Sequence, residues 1–364
     1  MTGPRVLAAM SGGVDSSVAA AMLVEQGFDV IGVTMKLFCH GDDVPDRPCC
    51  SLESINDARR VCERLGIPHY VLNMERAFGR DVVDDFVAEY ARGRTPIPCV
   101  RCNTFTKFRD LVAKADALDA RWIATGHYAR AAGGVMRRGR DPLKDQSYFL
   151  WGVDRAVVER LLLPVGDLTK PDTRARARAL GLEVVADKIE SQDICFVPDG
   201  DHAAVVSRRL GAEAPALAAG PFVTADGDVV GEHRGFVRYT VGQRRGLPGG
   251  SSRPLYVLAI RPDDRAVVVG PREALFGTRV VAREVNWLTA SPPGAGSAVE
   301  VQIRHRATPA GATITRLEMT GESAARGGEI ELALDTPVAA IAPGQSVVFY
   351  TGDQVLGGGV IERQ

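Results

Sequence analysis

The stretch Met10-Ser11-Gly12-Gly13-Val14-Asp15-Ser16-Ser17 constrains this chain more than any other. A short apolar run from Val6 to Met10 precedes it and reads as a buried strand. The run Val18 to Gln26 follows and reads as a helix, with Gly27 placed to stop it. The loop therefore joins a strand to a helix N-terminus. Gly12 and Gly13 let backbone N–H groups approach a ligand closely, and the helix dipole favours an anion there. Ser11, Ser16 and Ser17 add hydroxyl donors. No Gly-Lys-Ser/Thr follows, so this phosphate cradle is not a Walker loop.

The strand-helix alternation continues past the loop. Val30-Ile31-Gly32-Val33 marks a second strand, and a second helix starts near Ser51, a good N-cap. Ile55, Ala58, Cys62 and Leu65 share its apolar face, which makes Cys62 a core residue. His69 to Leu72 is a third strand. Helices through Val82, Phe86 and Tyr90 and through Phe105, Phe108 and Val112 follow, then a fourth strand from Trp122 to Thr125. This alternation predicts a parallel sheet with helices on both faces and a ligand site at the carboxyl ends of the strands. Met35 and Gly126 lie at two of those ends and are placed to line the same pocket.

A chain of 364 residues has room for two or three domains. Near residue 204 its character changes. An Ala-rich stretch runs to Gly220, and short β-prone runs separated by turns follow, such as Ala225-Asp226-Gly227-Asp228 and Pro262-Asp263-Asp264. The fold class expected is α/β: a parallel-sheet domain over 1–203, a small β-rich domain over 204–275 and a C-terminal β-barrel over 276–364. Arg304-His305-Arg306 is expected in a barrel strand, where alternation would turn one face to a phosphate backbone. The formal net charge of −1 means that any nucleic-acid surface must be a local patch. No apolar run approaches a membrane span or a signal peptide core, which points to the cytoplasm.

The seven cysteines are odd in number and the chain is not small, so a structural disulfide framework is not expected. Cys39, His40, Cys49 and Cys50 match no standard zinc spacing, and the segment reads as a surface loop. Cys99 and Cys102 are different. Five basic residues and no acidic one lie between Ala91 and Arg109, and a helix begins beside the two thiols. Such surroundings lower a thiol pKa and create a nucleophile, although a solvated basic face, a redox pair and half a metal site remain open on spacing alone. By itself, Lys144 to Leu150 reads as the start of a strand, and Cys195, flanked by apolar residues, as a buried structural thiol.

Together these motifs resemble the tRNA-specific 2-thiouridylases, a family within the PP-loop ATP pyrophosphatases. The loop Ser11–Ser17 matches the PP-loop. Pro98-Cys99-Val100-Arg101-Cys102-Asn103, Thr125-Gly126-His127-Tyr128, Lys144-Asp145-Gln146-Ser147-Tyr148, Ser191-Gln192-Asp193-Ile194-Cys195-Phe196, Gly242 to Leu247 and Pro343-Gly344-Gln345 match in order over essentially the whole chain. The resemblance implies that Met10, Ser11, Gly12, Gly13, Val14, Asp15, Ser16, Ser17, Met35 and Gly126 bind ATP with Mg²⁺. It implies that Cys102 is the nucleophile and Cys195 its persulfide-bearing partner, overriding the local reading of Cys195 as inert. It also implies that Lys144, Asp145, Gln146, Arg304 and His305 touch tRNA. The product would be 2-thiouridine at the wobble position, the sulfur would come from a persulfide donor protein, and the enzyme would act as a monomer. Some members carry Asn-Pro-Asp where this chain has Ile97-Pro98-Cys99, so an acid/base role for that Asp does not carry over to Cys99. Three alternatives stand beside this reading: an iron–sulfur cluster on Cys99, Cys102 and Cys195, another PP-loop adenylating synthetase, and a non-catalytic tRNA-binding protein.

Overall fold

The computed structural model describes residues 3–38, 52–188, 194–197, 200–249, 253–320 and 327–362. It divides into two compact units. The first holds residues 1–82, 99–196 and 352–356, and the second holds 83–98, 197–351 and 357–364.

The first unit is built on strands β1 (Arg5–Ala9), β2 (Asp29–Lys36), β3 (His69–Asn73), β4 (Trp122–Ala124) and, after the hairpin β5 (Ala129–Ala132) and β6 (Val135–Arg138), β7 (Leu161–Leu162). The sheet order is β3-β2-β1-β4-β7 and every pairing is parallel. Val6, Leu7 and Val33 are fully buried, as strands covered on both faces require. From β1 the chain moves toward β2 and β3, whereas β4 lies on the other side of β1. The carboxyl ends of β1 and β4 are thus the switch point at which ligands bind in such sheets.

Helix α1 (Val14–Glu25) begins one turn earlier than its apolar run suggests. Gly13, extended at φ −104° and ψ 164°, is its N-cap, so Asp15, Ser16 and Ser17 belong to the first helical turn and not to the loop. The helix is apolar on nearly every side because it is buried in the unit's core with Val18, Ala19, Ala20, Ala21 and Leu23. Helix α2 (Leu52–Leu65) packs its Ile55, Ala58 and Cys62 face inward as expected. Burial pushes the Cys62 thiol up to about 12, which keeps it protonated and inert. The expected cap Ser51, the segment from Cys39 to Cys50, and Ser191 to Asp193 lie outside the described residues.

Lys144 to Leu150 is not a strand. Asp145 receives the N–H groups of Gly139 (2.9 Å) and Ser147 (3.0 Å) and the Ser147 hydroxyl (3.0 Å), and these bonds bend the chain into a 3-10 turn over Ser147–Phe149.

The second unit contains two β assemblies. In chain order the strands are β8 (Ala219–Val223), β9 (Val229–Arg234), β10 (Tyr256–Arg261), β11 (Ala266–Gly270), β12 (Phe276–Trp287), β13 (Ala298–Gln302), β14 (Ala310–Glu318), β15 (Glu329–Ala339), β16 (Ser346–Thr351) and β17 (Gln354–Ile361). Strands β8 to β11 form a sheet in the order β10-β11-β8-β9. Strands β12 to β17 run β12-β15-β14-β13-β16-β17, and pairing of β12 with β17 closes the barrel. Trp287 and Phe349 fill its interior with ring centroids 5.1 Å apart. The Ala-rich stretch contains a helix, His202–Leu210, capped by Asp201, which accepts the Ala204 N–H at 3.0 Å.

The expectation of a strand at Arg304-His305-Arg306 is corrected. Strand β13 ends at Gln302, whose side-chain amide donates to the Arg304 carbonyl at 3.1 Å. The Ala307 N–H closes a turn onto that same carbonyl at 3.0 Å, and Arg306 adopts φ +62°. Arg304 is exposed at this turn and His305 is half-buried.

Candidate functional site

The loop after β1 is held by its own serines. The Ser16 and Ser17 hydroxyls donate to the Gly13 carbonyl at 3.1 and 2.9 Å, the Ser11 N–H donates to Ser16 Oγ at 3.1 Å, and the Gly13 N–H donates to Ser11 Oγ at 3.3 Å. No side chain caps α1, so the first N–H groups of the helix point outward without an intrahelical acceptor. Gly12 sits at φ +71°, and a Cβ there would lie 2.1 Å from the Ser54 carbonyl oxygen. Gly126, just beyond β4, lies so close that its Cβ would stand 2.5 Å from the Ser16 nitrogen. The two strand ends therefore meet backbone to backbone, and they frame one cradle. Met35 is half-buried near the end of β2, the neighbouring strand. The structure thus brings the expected nucleotide residues to one edge of the sheet.

Three side chains that the sequence reading did not single out complete this edge. Lys170 Nζ donates to both carboxylate oxygens of Asp15, at 2.8 and 2.9 Å. The Tyr128 hydroxyl donates to Asp15 Oδ1 at 2.8 Å and lies 2.9 Å from Thr173 Oγ1. On the other flank, Lys188 Nζ donates to the Gly12 carbonyl at 3.3 Å and to Asp57 Oδ2 at 2.7 Å. Asp15 is thus an anchored carboxylate. The one signal for Lys170 was the capping pattern Thr169-x-x-Asp172, which announces a helix there but not a buried lysine. Nothing local marks Lys188.

The other matched motifs support the cradle. Gln146 clamps Tyr128 from both directions: its Oε1 accepts the Tyr128 N–H, and its own N–H donates to the Tyr128 carbonyl, both at 2.8 Å. Asp145 accepts the bonds that fold its own turn, together with Arg138 at 3.2 Å. Lys144 is half-buried beside them. His127 Nδ1 lies 2.7 Å from Thr125 Oγ1. Desolvation, helped by Lys107, pushes its pKa down to about 3, so the ring is neutral at physiological pH.

Cys99 is exposed, Cys102 is buried and Cys195 is half-buried. The helix Pro98–Arg101 leads into a π-helical turn, Cys102–Lys107, a local distortion that often marks functional positions. The short helix α3 (Glu75–Phe78) contacts that turn. Its Phe78 also packs edge-on against Phe196, the neighbour of Cys195, at 5.6 Å between centroids. The segments carrying Cys102 and Cys195 therefore share α3 as a support. Among the described residues, no group of three or more His, Cys, Asp or Glu is placed to share a metal ion.

The basic stretch around the thiols differs from its sequence reading, because Arg92, Arg94 and Arg109 are matched by acids. Arg94 is buried and bonds to Glu89 at 2.6 Å and to Glu362 at 2.7 Å. Arg92 pairs with Glu89 at 3.1 Å, and Arg109 pairs with Asp81 at 2.8 Å and with Asp110 at 3.0 Å. Within the second unit, the Pro343 carbonyl accepts the Thr95 N–H at 2.8 Å, and the Gln345 amide donates to the Thr95 carbonyl at 2.8 Å. The matched Pro-Gly-Gln thus pins the loop that runs into Pro98.

Comparison with known proteins agrees with this layout. A family profile described as "tRNA methyl transferase HUP domain" matches residues 4–199. A "tRNA methyl transferase PRC-barrel domain" matches 210–271, and an "Aminomethyltransferase beta-barrel domain" matches 278–361. Relatives similar over 99% of this chain are each called tRNA-specific 2-thiouridylase MnmA. They come from Rhodospirillum centenum (51% identical, 92% of its length covered), Parvibaculum lavamentivorans (49%, 91%) and Rhodospirillum rubrum (48%, 96%). With half of its residues shared along nearly its full length, the chain belongs to the tRNA-specific 2-thiouridylase family.

Proposed function

We propose that this protein is an ATP-dependent tRNA sulfurtransferase that converts wobble uridine to 2-thiouridine, releasing AMP and pyrophosphate. The observation that carries the reading is the uncapped start of α1 at the switch point, where Gly126 approaches Asp15 and Ser16 with no side chain between. A polyphosphate is proposed to lie against those N–H groups, and Met10 to Ser17, Met35 and Gly126 are the residues proposed to hold ATP. Mg²⁺ belongs to the nucleotide substrate in this reading, since Asp15 already accepts from Lys170 and Tyr128. Lys144, Asp145 and Gln146 are proposed to lie where tRNA meets the first unit, and Arg304 and His305 where it meets the barrel. We assign three domains, 1–203, 204–275 and 276–364, to a monomer that works in the cytoplasm with a persulfide donor protein. Among the described residues no helix is long and apolar enough to cross a membrane.

The chemistry suits these residues. The C2 oxygen of uridine is a poor leaving group until ATP adenylates it. Loop N–H groups aimed at the departing pyrophosphate stabilise the charge it gains. Cys195, half-buried, is accessible to a donor and carries the persulfide. The Cys102 thiolate attacks its inner sulfur, forms a Cys102–Cys195 disulfide and releases hydrosulfide to C2, from which AMP departs. An external thiol reduces the disulfide. The cluster alternative requires Cys99, Cys102 and Cys195 to share iron, and the described geometry gathers no such set.

The test is single Cys→Ser substitution at 99, 102 and 195. Cys102→Ser and Cys195→Ser are expected to lose thiolation while still releasing pyrophosphate with tRNA, and Cys99→Ser to keep a substantial part of its activity. Equal inactivity of all three, with iron present in proportion to activity after anaerobic purification, would replace the persulfide route by the cluster route. Absence of tRNA-dependent pyrophosphate release from the wild-type protein would remove the adenylation reading altogether.

A further inference from the structure

A phosphate arriving at α1 meets a difficulty that the loop alone does not resolve. Asp15 lies in the first turn of the helix, so its carboxylate stands beside the N–H groups that would receive the polyanion. Two like charges at close range repel unless a cation lies between them or beside them. Lys170 is that cation. It is only 7% exposed, and both Asp15 oxygens accept from its ammonium group. The Tyr128 ring lies 5.6 Å from Nζ, close enough for cation–π attraction.

The position of Lys170 is fixed from three directions. Its backbone N–H donates to Asp141 Oδ2 at 3.0 Å. It is the first residue of the helix Lys170–Ala179, closed by a capping box between Thr169 and Asp172. Thr173, one turn on, touches the Tyr128 hydroxyl, which itself donates to Asp15. A lysine held this rigidly does not serve as a mobile surface charge. The half-buried Asp15 carboxylate gives this nearly buried ammonium its counter-charge, without which a lysine so placed would be strongly destabilising.

Resting on the adenylation reading, we infer that Lys170 is a catalytic residue of the pyrophosphate subsite: its ammonium, stored against Asp15, receives the charge of the departing pyrophosphate. In the step itself, the uridine O2–Pα bond forms and the bond from Pα to the bridging oxygen of the β-phosphate breaks. The electron pair leaves with pyrophosphate, and the N3 proton of the base is released to water. Lys170 exchanges no proton. It supplies a fixed positive charge where negative charge accumulates, the arrangement that gives preorganised sites most of their effect.

The experiment uses the full-length protein with tRNA and ATP, and compares wild type, Lys170→Met, Asp15→Asn and the double variant Asp15→Asn/Lys170→Met. The double variant removes the carboxylate that would otherwise lose its partner, and it is read against Asp15→Asn alone, because Asp15 is itself one of the residues proposed to hold ATP. Pyrophosphate release, inhibition by added pyrophosphate and inhibition by AMP are measured for each. The inference expects release to fall by about 100-fold or more on loss of Lys170, in Lys170→Met against wild type and in the double variant against Asp15→Asn. It expects pyrophosphate inhibition to weaken by at least about tenfold while AMP inhibition stays within about twofold. Release and pyrophosphate inhibition in the double variant equal to those of Asp15→Asn alone would show that Lys170 only neutralises Asp15, and would overturn the inference. Parallel loss of pyrophosphate and AMP inhibition would likewise overturn it, as a general loss of nucleotide binding. Wild-type release in the same assay keeps either failure distinct from failure of the adenylation reading.

Discussion

Tyr128 donates its phenolic hydrogen to Asp15 Oδ1 at 2.8 Å, joining positions 113 residues apart. The bond fastens the strand end at β4 to the first turn of α1, so the two halves of the cradle move together. Removing the hydroxyl leaves Asp15 with Lys170 but loosens the seam. Tyr128→Phe is expected to lower the unfolding free energy of the first unit by about 1–2 kcal/mol and to raise KM for ATP several-fold with little change in kcat. Denaturation by urea and steady-state pyrophosphate release measure the two effects.

The glycines of the loop separate by geometry. A Cβ at Gly12 would meet the Ser54 carbonyl at 2.1 Å from a left-handed backbone, while one at Gly13 would meet only Ser11 Oγ at 3.4 Å. Gly12→Ala is expected to cost about 3 kcal/mol or more, and Gly13→Ala to stay within about 1 kcal/mol of wild type. Thermal unfolding of both variants side by side decides it, and equal stability would refute the predicted contrast.

His127 makes the first unit sensitive to acid. Its folded-state pKa is lowered to about 3, against an ordinary value near 6.5, so the unfolded chain binds a proton more readily. Its contribution is fully present above pH 6.5 and is lost as pH falls toward 3. By pH 5 the loss is about 1–2 kcal/mol. His127→Gln is expected to be less stable at pH 7 but flatter between pH 7 and 5. An unchanged slope in chemical denaturation at those pH values would count against a desolvated neutral imidazole.

Arg304 projects from a turn, which leaves it available to a phosphate in a way that a paired barrel strand would not guarantee. Arg304→Ala is expected to weaken tRNA binding and to reduce the salt dependence of log K by a slope of about one. Filter binding at several salt concentrations gives both quantities, and an unchanged slope would remove Arg304 from the RNA surface.

The parts of the fold that depend on local pattern were legible in the sequence: the parallel sheet, the loop at its carboxyl edge, and Cys62 in the core. What the sequence hid depends on partners far along the chain. The run from Arg92 to Arg109 looked like an electropositive bed for a thiolate, yet Arg94 bonds to Glu362 across 268 residues. Composition displays a charge but not its neutraliser. Lys170 was invisible for the same reason, lying 155 residues from Asp15. Lys144 to Leu150 and Arg304 to Arg306 were misread because side-chain bonds from Asp145 and Gln302 bend the backbone where β propensity is ordinary.

The pinning of Arg94 and Thr95 sets an order on how the molecule can be made. The strands of the parallel sheet are complete once residue 162 has been synthesised, so a nucleotide cradle can assemble on a growing chain. The loop that runs into Pro98 has no such freedom. Its anchors are Pro343, Gln345, Ile361 and Glu362, which are synthesised long after the last strand of that sheet. A nascent or prematurely terminated chain therefore carries the completed parallel sheet while the loop from Arg92 to Pro98 still lacks its anchors. Truncation before residue 361 is a defect in the setting of that loop, however distant it looks in the sequence.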